Sequence, residues 1–317
     1  MNMRMYTEDS FRGEVRDGFY IRPMIKRAWA AQLKVLQEID SVCKRHSLMW
    51  FMDFGTLLGA CREQGYIAWD DDIDIGMLRG DFELFKKYAR EELPEGFFWT
   101  AKCNEESNEQ FFGVRNSDHV RMDEKFLEQF YGCPYAVGVD IFVYDAVPDD
   151  TKEREIFMVL LSSAVNSAEA ISAAGCYEAC SEEVHGWISG LEDSLQISLK
   201  KDEALKAELY SLSDRIGAMY FDVKTENMAI SRCLIQDRRY LIKREWVERT
   251  TYLPFEGEAL PVPIGYKELL SAYYGEDYMI PQRDGAGHDY PYFKDQEERL
   301  LQWFAANNIK VPDIFKE

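Results

Sequence analysis

Four aspartates packed into one short apolar stretch carry the most chemistry in this chain. They are Asp70, Asp71, Asp72 and Asp74, set among Ile67, Trp69, Ile73, Ile75 and Met77. Acidic residues are poor strand formers, so their presence between such neighbours needs a cause. On a strand from Tyr66 to Leu78, side chains alternate between faces. Asp72, Asp74 and Gly76 then share one face. Asp71, Ile73, Ile75 and Met77 share the other, and its apolar members face a core. The Cα atoms of Asp72 and Asp74 lie about 6.6 Å apart, two residues at roughly 3.3 Å each. Carboxylates that close repel, and one pKa rises unless a cation neutralises them. Magnesium suits the position, because it takes one or two protein carboxylates and fills its other sites with phosphate oxygens and water. Asp140 is a second unusual acid, alone inside Val139-Asp-Ile-Phe-Val. A lone buried carboxylate is costly unless paired or metal-bound. Asp72, Asp74 and Asp140 together predict a site holding one or two divalent ions for phosphoryl transfer. Gly55 and Thr56 follow a predicted strand and open a predicted helix, where backbone N–H groups suit a phosphate. Asp145 reads as a turn residue before Pro148.

The elements that must position these residues are legible from spacing. Pro23 fits a first helical turn, and Ile25, Trp29, Leu33, Leu36 and Ile39 recur at helical spacing up to His46. Leu48 to Phe54 reads as a strand, Thr56 to Gln64 as a short helix, and Tyr66 to Leu78 as a second strand. Asp81 is an N-cap candidate for a helix through Leu93, closed by Pro94. Residues 97–102 and 111–115 read as strands, and Val137 to Tyr144 is a strong strand signal. Residues 152–235 carry long helical patterns with few turn signals. From Tyr240 onwards, Pro254, Pro261, Pro263, Gly265 and Pro281 punctuate loops around one helix at Tyr266 to Tyr274. The expected organisation is a lead-in over 1–22, a catalytic core over 23–150, a helical subdomain over 151–240 and a segment over 241–317 packing back on the core. The fold class is α+β, with an α/β-like interleaving of strands and helices.

Composition narrows the function classes. The 317 residues include 37 Lys plus Arg against 57 Asp plus Glu, a formal charge of −20. That balance argues against a nucleic-acid binder, which needs a basic face for phosphates. At 46% hydrophobic the chain has material for a packed core and is not a disordered one. No signal peptide or transmembrane segment is expected. The apolar run from Ile156 is interrupted by Asn166 and Glu169 and reads as a buried core helix. Seven scattered cysteines without a C-x-x-C pair read as free thiols in a reducing cytoplasm. Cys176 and Cys180 have the spacing to share a helix face.

The string Gly55-Thr-Leu-Leu-Gly-Ala-Cys-Arg-Glu-Gln-Gly-Tyr-Ile-Ala-Trp-Asp-Asp-Asp-Ile-Asp-Ile-Gly-Met77 resembles the LicD family, whose relatives include fukutin and fukutin-related protein. Phe255-Glu-Gly, Val262-Pro-Ile-Gly-Tyr, Tyr274-Gly-Glu-Asp-Tyr-Met, Pro281 and His288 extend the resemblance, which runs from about residue 30 to 290 and is thinnest over 152–235. Ala68 departs from it, standing where the family usually has proline. The resemblance implies a nucleotidyltransferase (polymerase-beta-like) mixed-sheet core with a helical subdomain. It implies a Mg²⁺-dependent transferase, with Mn²⁺ as a substitute. This enzyme would move phosphocholine or a polyol phosphate from a CDP-choline or CDP-polyol donor to a hydroxyl of a teichoic acid, capsule or lipopolysaccharide glycan. The acceptor can be lipid-linked, which would place the protein in the cytoplasm at the inner face of the membrane. Carried over by position, Asp72 and Asp74 match the metal pair, Asp140 the third acid and Gly55-Thr56 the phosphate-holding turn. Asp140 would take the proton of the attacking hydroxyl. Arg62 matches a family arginine and reads either as a phosphate ligand or as a surface residue, and His288 either lines the site or is a surface histidine. Arg115, Arg121, Arg238, Arg239 and Lys243 are further candidates for the anionic donor. Tyr66, Trp69, Trp50 and Phe51 read either as core or as rings for a base, a sugar or a choline-like ammonium. Two other readings stay open: a strict nucleotidyltransferase that transfers NMP from an NTP, and a catalytically silent binding or scaffold member.

Overall fold

The computed structural model describes residues 6–103, 110–283 and 290–315. A small hairpin, β1 (Glu14–Arg16) and β2 (Phe19–Ile21), leads into α1 (Pro23–His46). Then follow β3 (Phe51–Met52), α2 (Phe54–Arg62), β4 (Asp74–Leu78), α3 (Arg79–Glu92), β5 (Phe98–Cys103), β6 (Gln110–Arg115), α4 (Glu124–Gln129) and β7 (Gly138–Val147). The helices α5 (Thr151–Ala174), α6 (Glu182–Leu195) and α7 (Leu205–Gly217) come next, then β8 (Asn227–Ile230), α8 (Ser231–Gln236), β9 (Leu241–Lys243) and α9 (Arg244–Val247). The chain closes with the hairpin β10 (Thr250–Phe255) and β11 (Glu258–Pro263), α10 (Tyr266–Tyr274) and α11 (Lys294–Ala306).

The fold is α+β around a mixed sheet. Its strands run in the order β3-β4-β7-β6-β5, with β8 pairing β7 and β9 pairing β8. The β4–β7 pair is parallel, and the other pairs in the sheet are antiparallel. The helix α1 shows why the local pattern succeeds. It opens with Pro23 in its first turn and buries Ile25, Trp29, Leu33, Leu36 and Ile39 against the sheet. It ends at Ser47 in the left-handed conformation, with Lys44, Arg45 and His46 in the last turn, where cations suit the carbonyl end.

A second cluster of buried side chains joins α5, α6 and α7, with Phe157, Leu161, Ile188, Leu205, Leu209 and Ile216 at its centre. Among the described helices, α5 is long and apolar enough to cross a membrane by length and composition. Here it packs on α6 and α7, burying Phe157, Leu160, Leu161, Ala164 and Ala168 and exposing Ile156 and Val159.

Several expectations are corrected. The strand expected over Tyr66–Leu78 is confined to β4, and the part before it is a loop that turns at Ala68–Trp69, where Asp70 N–H donates to the Ile67 carbonyl at 3.0 Å. The Asp70 carbonyl accepts from Trp29 Nε1, and the Asp71 carbonyl accepts from Gln32 Nε2. Those carbonyls are satisfied by α1 side chains, so this segment does not form a strand ladder. Asp81 lies inside the first turn of α3, whose N-cap is Leu78. Asp145 is no turn residue. It sits inside β7, which continues to Val147, and is 2% exposed. Residues 152–235, read as helical, also contain β8. The prolines read as loop punctuation at Pro254, Pro261 and Pro263 lie in β10 and β11. A two-stranded hairpin tolerates them because its outer edges need no ladder donor. Cys176 and Cys180 flank a single 3₁₀ turn and share no α-helical face.

Candidate active site

The sheet brings the two acidic signals together. Asp74 and Asp140 are register partners on the adjacent parallel strands β4 and β7, so their side chains rise on the same face. Ile73, Ile75 and Met77 point the other way and are fully buried. Asp72, Asp74 and Asp140 are half-buried, open enough for a ligand to reach. Burial, then the like charges of Asp72, Asp140, Asp70 and Asp53, push the Asp74 carboxyl well above the usual carboxylate range. The site therefore gathers more negative charge than it balances.

Asp140 has a cationic neighbour. Arg115 on β6 donates through its Nη2 to Asp140 Oδ1. Gly113 pairs with Asp140, and Gly138 pairs with Arg115, across the β6–β7 ladder. All four positions are on the acidic face. A Cβ added at Gly138 would overlap the Arg115 side chain, and one at Gly113 would crowd both Arg115 and Asp140. The two glycines therefore clear a path along which Arg115 lies flat on the sheet.

The strand β4 is held from the start of α2. Asp74 N–H donates to Thr56 Oγ1 at 2.9 Å, and Asp53 N–H donates to the Asp74 carbonyl at 3.0 Å. Gly55 faces Asp70, whose carboxylate would collide with any Cβ there. Asp53 is fully buried, with Tyr144 Oη donating to its Oδ2 at 2.7 Å and Phe54 N–H to its Oδ1 at 2.9 Å. Tyr144 and Tyr273 share a further hydroxyl contact of 2.9 Å. Burial pushes the Asp53 carboxyl up to about 6, against the lowering pull of Tyr144 and Phe54. Asp71 is buried too, and Tyr292 N–H donates to its Oδ2 at 2.7 Å.

Phe54 has φ 42°, a left-handed conformation that strains a residue with a Cβ by about 1–2 kcal/mol. Its ring packs edge-on to Phe142 at 4.6 Å and stacks with Tyr273 at 5.3 Å, and Tyr240 lies 4.9 Å from Tyr273. Tyr274, 41% exposed, continues this wall. Its hydroxyl is held well above its ordinary value by burial, then by Asp74, Asp53 and Asp70. The aromatics beside the acids are thus Phe54, Phe142, Tyr240 and Tyr274. Tyr66, Trp50 and Phe51, read from sequence either as core or as ligand rings, are core, and Trp69 is half-buried. Phe54 opens α2 and Phe142 lies in β7, so their contact is a tertiary one that no local pattern signals.

Arg62 is not gathered with the acids. It ends α2, eight residues from Phe54 and so about 12 Å along the axis. It donates to Glu63 Oε1 at 2.7 Å and to the Tyr278 carbonyl at 3.4 Å. Arg239 is spent on Asp237 and the Tyr273 carbonyl, and Arg121 on Asp123. His288 lies outside the described residues.

Among the described residues, no three His, Cys, Asp or Glu side chains already form a metal-ligand set. The donor chemistry nevertheless fits a hard divalent ion. Asp72, Asp74 and Asp140 offer carboxylate oxygens at one half-buried place, where burial and then the charges of Asp72 and Asp140 raise the Asp74 carboxyl.

Residues 47–132, which include Asp72 and Asp74, match the family described as LicD/FKTN/FKRP, nucleotidyltransferase domain. Over 269 residues the chain is 25% identical to the lipopolysaccharide cholinephosphotransferase LicD of Haemophilus influenzae, an overlap covering 81% of this chain and 92% of that protein. Uncharacterised proteins of Rickettsia prowazekii and Rickettsia typhi are each 35% identical over 48 residues, 15% of this chain and 18% and 16% of theirs. The family match contains the strand that carries the acid pair, and the similarity to the Haemophilus protein extends over most of both chains, so what the chain resembles is the LicD family.

Proposed function

We propose that this protein is a LicD-like phosphotransferase that moves phosphocholine from CDP-choline to a hydroxyl of a cell-surface glycan or its precursor. The observation that carries the reading is the in-register meeting of Asp74 and Asp140 on adjacent strands, with Asp72 beside them. Similarity to a lipopolysaccharide cholinephosphotransferase over most of both chains supports the transferred group and the acceptor class. Asp72, Asp74 and Asp140 would hold Mg²⁺, which when bound neutralises charge on the donor phosphates and the leaving nucleotide. Asp140 would take the proton of the attacking acceptor hydroxyl. The wall of Phe54, Phe142, Tyr240 and Tyr274 suits a quaternary ammonium, which ring faces and nearby carboxylates both attract. A neutral polyol gains neither attraction, so choline is preferred to ribitol or glycerol.

The test uses purified protein with Mg²⁺ and a panel of CDP-choline, CDP-ribitol, CDP-glycerol and the four NTPs. A ligand of the folded state raises the melting temperature by mass action. CDP-choline is expected to give the largest rise, and transfer to a glycan acceptor should release CMP. Asp74→Asn should lower kcat/KM by about a thousandfold, the scale of losing one central electrostatic group. Stabilisation by an NTP alone, with pyrophosphate release, would replace this reading by strict nucleotidyl transfer.

A further inference from the structure

The divalent ion proposed above and Arg115 make claims on the same carboxylate. We propose that they are alternative partners of Asp140. Ion binding displaces the Arg115 guanidinium, which then takes a phosphate oxygen of the nucleotide-diphosphate donor. The donor half of this inference rests on the proposed transferase reading, and the exchange at Asp140 does not.

Three observations carry it. First, Arg115 lies on the acidic face, bonded to Asp140 and with Asp72 close enough to stabilise its charge. Second, the path it lies along is kept clear by Gly113 and Gly138, both of which would meet it if they carried a Cβ. A Cβ at either position would also meet a cross-strand backbone carbonyl, of Val139 at Gly113 and of Val114 at Gly138, so glycine is what lets the strands approach closely and leaves the surface on which the Arg115 side chain lies. Third, Arg115 and Asp140 are each 24% exposed, so the pair is neither locked in the core nor spread on the surface. Breaking it costs less than breaking a fully buried pair. A guanidinium forks onto phosphate as readily as onto carboxylate, so the released group meets the donor with the geometry it already has. The exchange conserves charge: the ion replaces the guanidinium on Asp140, and the guanidinium meets the negative charge that the donor brings.

Calorimetric titration of Mn²⁺ into the full chain without donor tests the exchange. Arg115→Gln removes the competitor, so Mn²⁺ should bind about tenfold tighter than to wild type. With Mg²⁺ present, the same variant should raise the KM for CDP-choline at least tenfold and change kcat less. Arg115→Lys, which keeps the charge but not the fork, should leave Mn²⁺ affinity within about threefold of wild type and still raise KM. Unchanged or weaker Mn²⁺ binding in an Arg115→Gln variant with wild-type melting would overturn the exchange. If that variant does not fold, Arg115→Lys decides: unchanged KM sinks the proposal. Absence of Mn²⁺ binding in wild type and variant alike sinks it together with the metal reading. Tighter Mn²⁺ binding without any CDP-alcohol substrate upholds the exchange and rejects the donor assignment.

Discussion

Asp53 holds its proton in the folded chain up to about pH 6, because burial outweighs the hydrogen bonds from Tyr144 and Phe54. In the unfolded chain it loses that proton near its ordinary value of 3.8. The folded state therefore binds more protons between those values. The stability this contributes is full below the unfolded value and is lost as pH rises through the folded one. A rise from 3.8 to about 6 corresponds to about 3 kcal/mol. Asp53→Asn fills the same space, accepts from Tyr144 and does not titrate. Urea unfolding of both proteins between about pH 4 and 7 should show wild type losing about 2–3 kcal/mol relative to the variant. A constant difference across that range would mean that Asp53 is already ionised when folded. The sequence reads Asp53 inside a strand over Leu48 to Phe54 and says nothing of this. Its partner Tyr144 lies 91 positions away, and the contact exists because β3 and β7 both flank β4.

At the scale of elements, a buried ion network ties the sheet to the helical cluster. Arg79, at the start of α3, donates through Nε to Asp145 Oδ1 at 2.7 Å and through Nη2 to Asp145 Oδ2 at 3.1 Å. Its Nη1 reaches Asp214 of α7 at 2.8 Å, and Ser231 of α8 donates to Asp145 Oδ2 at 2.7 Å. Burial pulls the Arg79 guanidinium down, but the charges of Asp145 and Asp214 outweigh it and keep it protonated. Burial raises the Asp145 carboxyl, and Arg79 only partly offsets that. Removing one partner strands the other in the core. Asp145→Leu or Arg79→Met alone should therefore cost about 3–5 kcal/mol, and the double variant should cost less than either. Additive losses in equilibrium unfolding would show that the two groups are not coupled. Asp145 reads as a turn residue in sequence because Pro148 follows it. Its role comes from α3 and α7, which no local pattern places beside β7.

Across the whole molecule, the C-terminal segment completes the acidic loop. Phe293 is fully buried and stacks on Tyr135 with ring centroids 4.4 Å apart. Gln296 bonds both backbone groups of Ala136, and Arg22 pairs with Glu297 at 3.2 Å. That docking presents Tyr292 N–H to Asp71. Phe293→Ala should cost about 3–5 kcal/mol by urea unfolding, as truncation of a buried aromatic does. A loss below about 1 kcal/mol would mean that the segment is loosely attached. The amino-acid sequence by itself determined the elements whose signal is local: α1, α10, β5 to β7, and the alternation that puts Asp72 and Asp74 opposite Ile73 and Ile75. It also marked Asp140 as an acid in an apolar strand. Only the tertiary structure decided that Asp140 meets Asp74, that Arg115 reaches it between two glycines, that Phe54 and Phe142 form the wall beside it, and that Asp145 is a buried anchor. Helix and strand periodicity are properties of neighbouring residues and survive in a linear reading. Register between distant strands is set by the burial of whole faces at once, and it exists only in the folded chain.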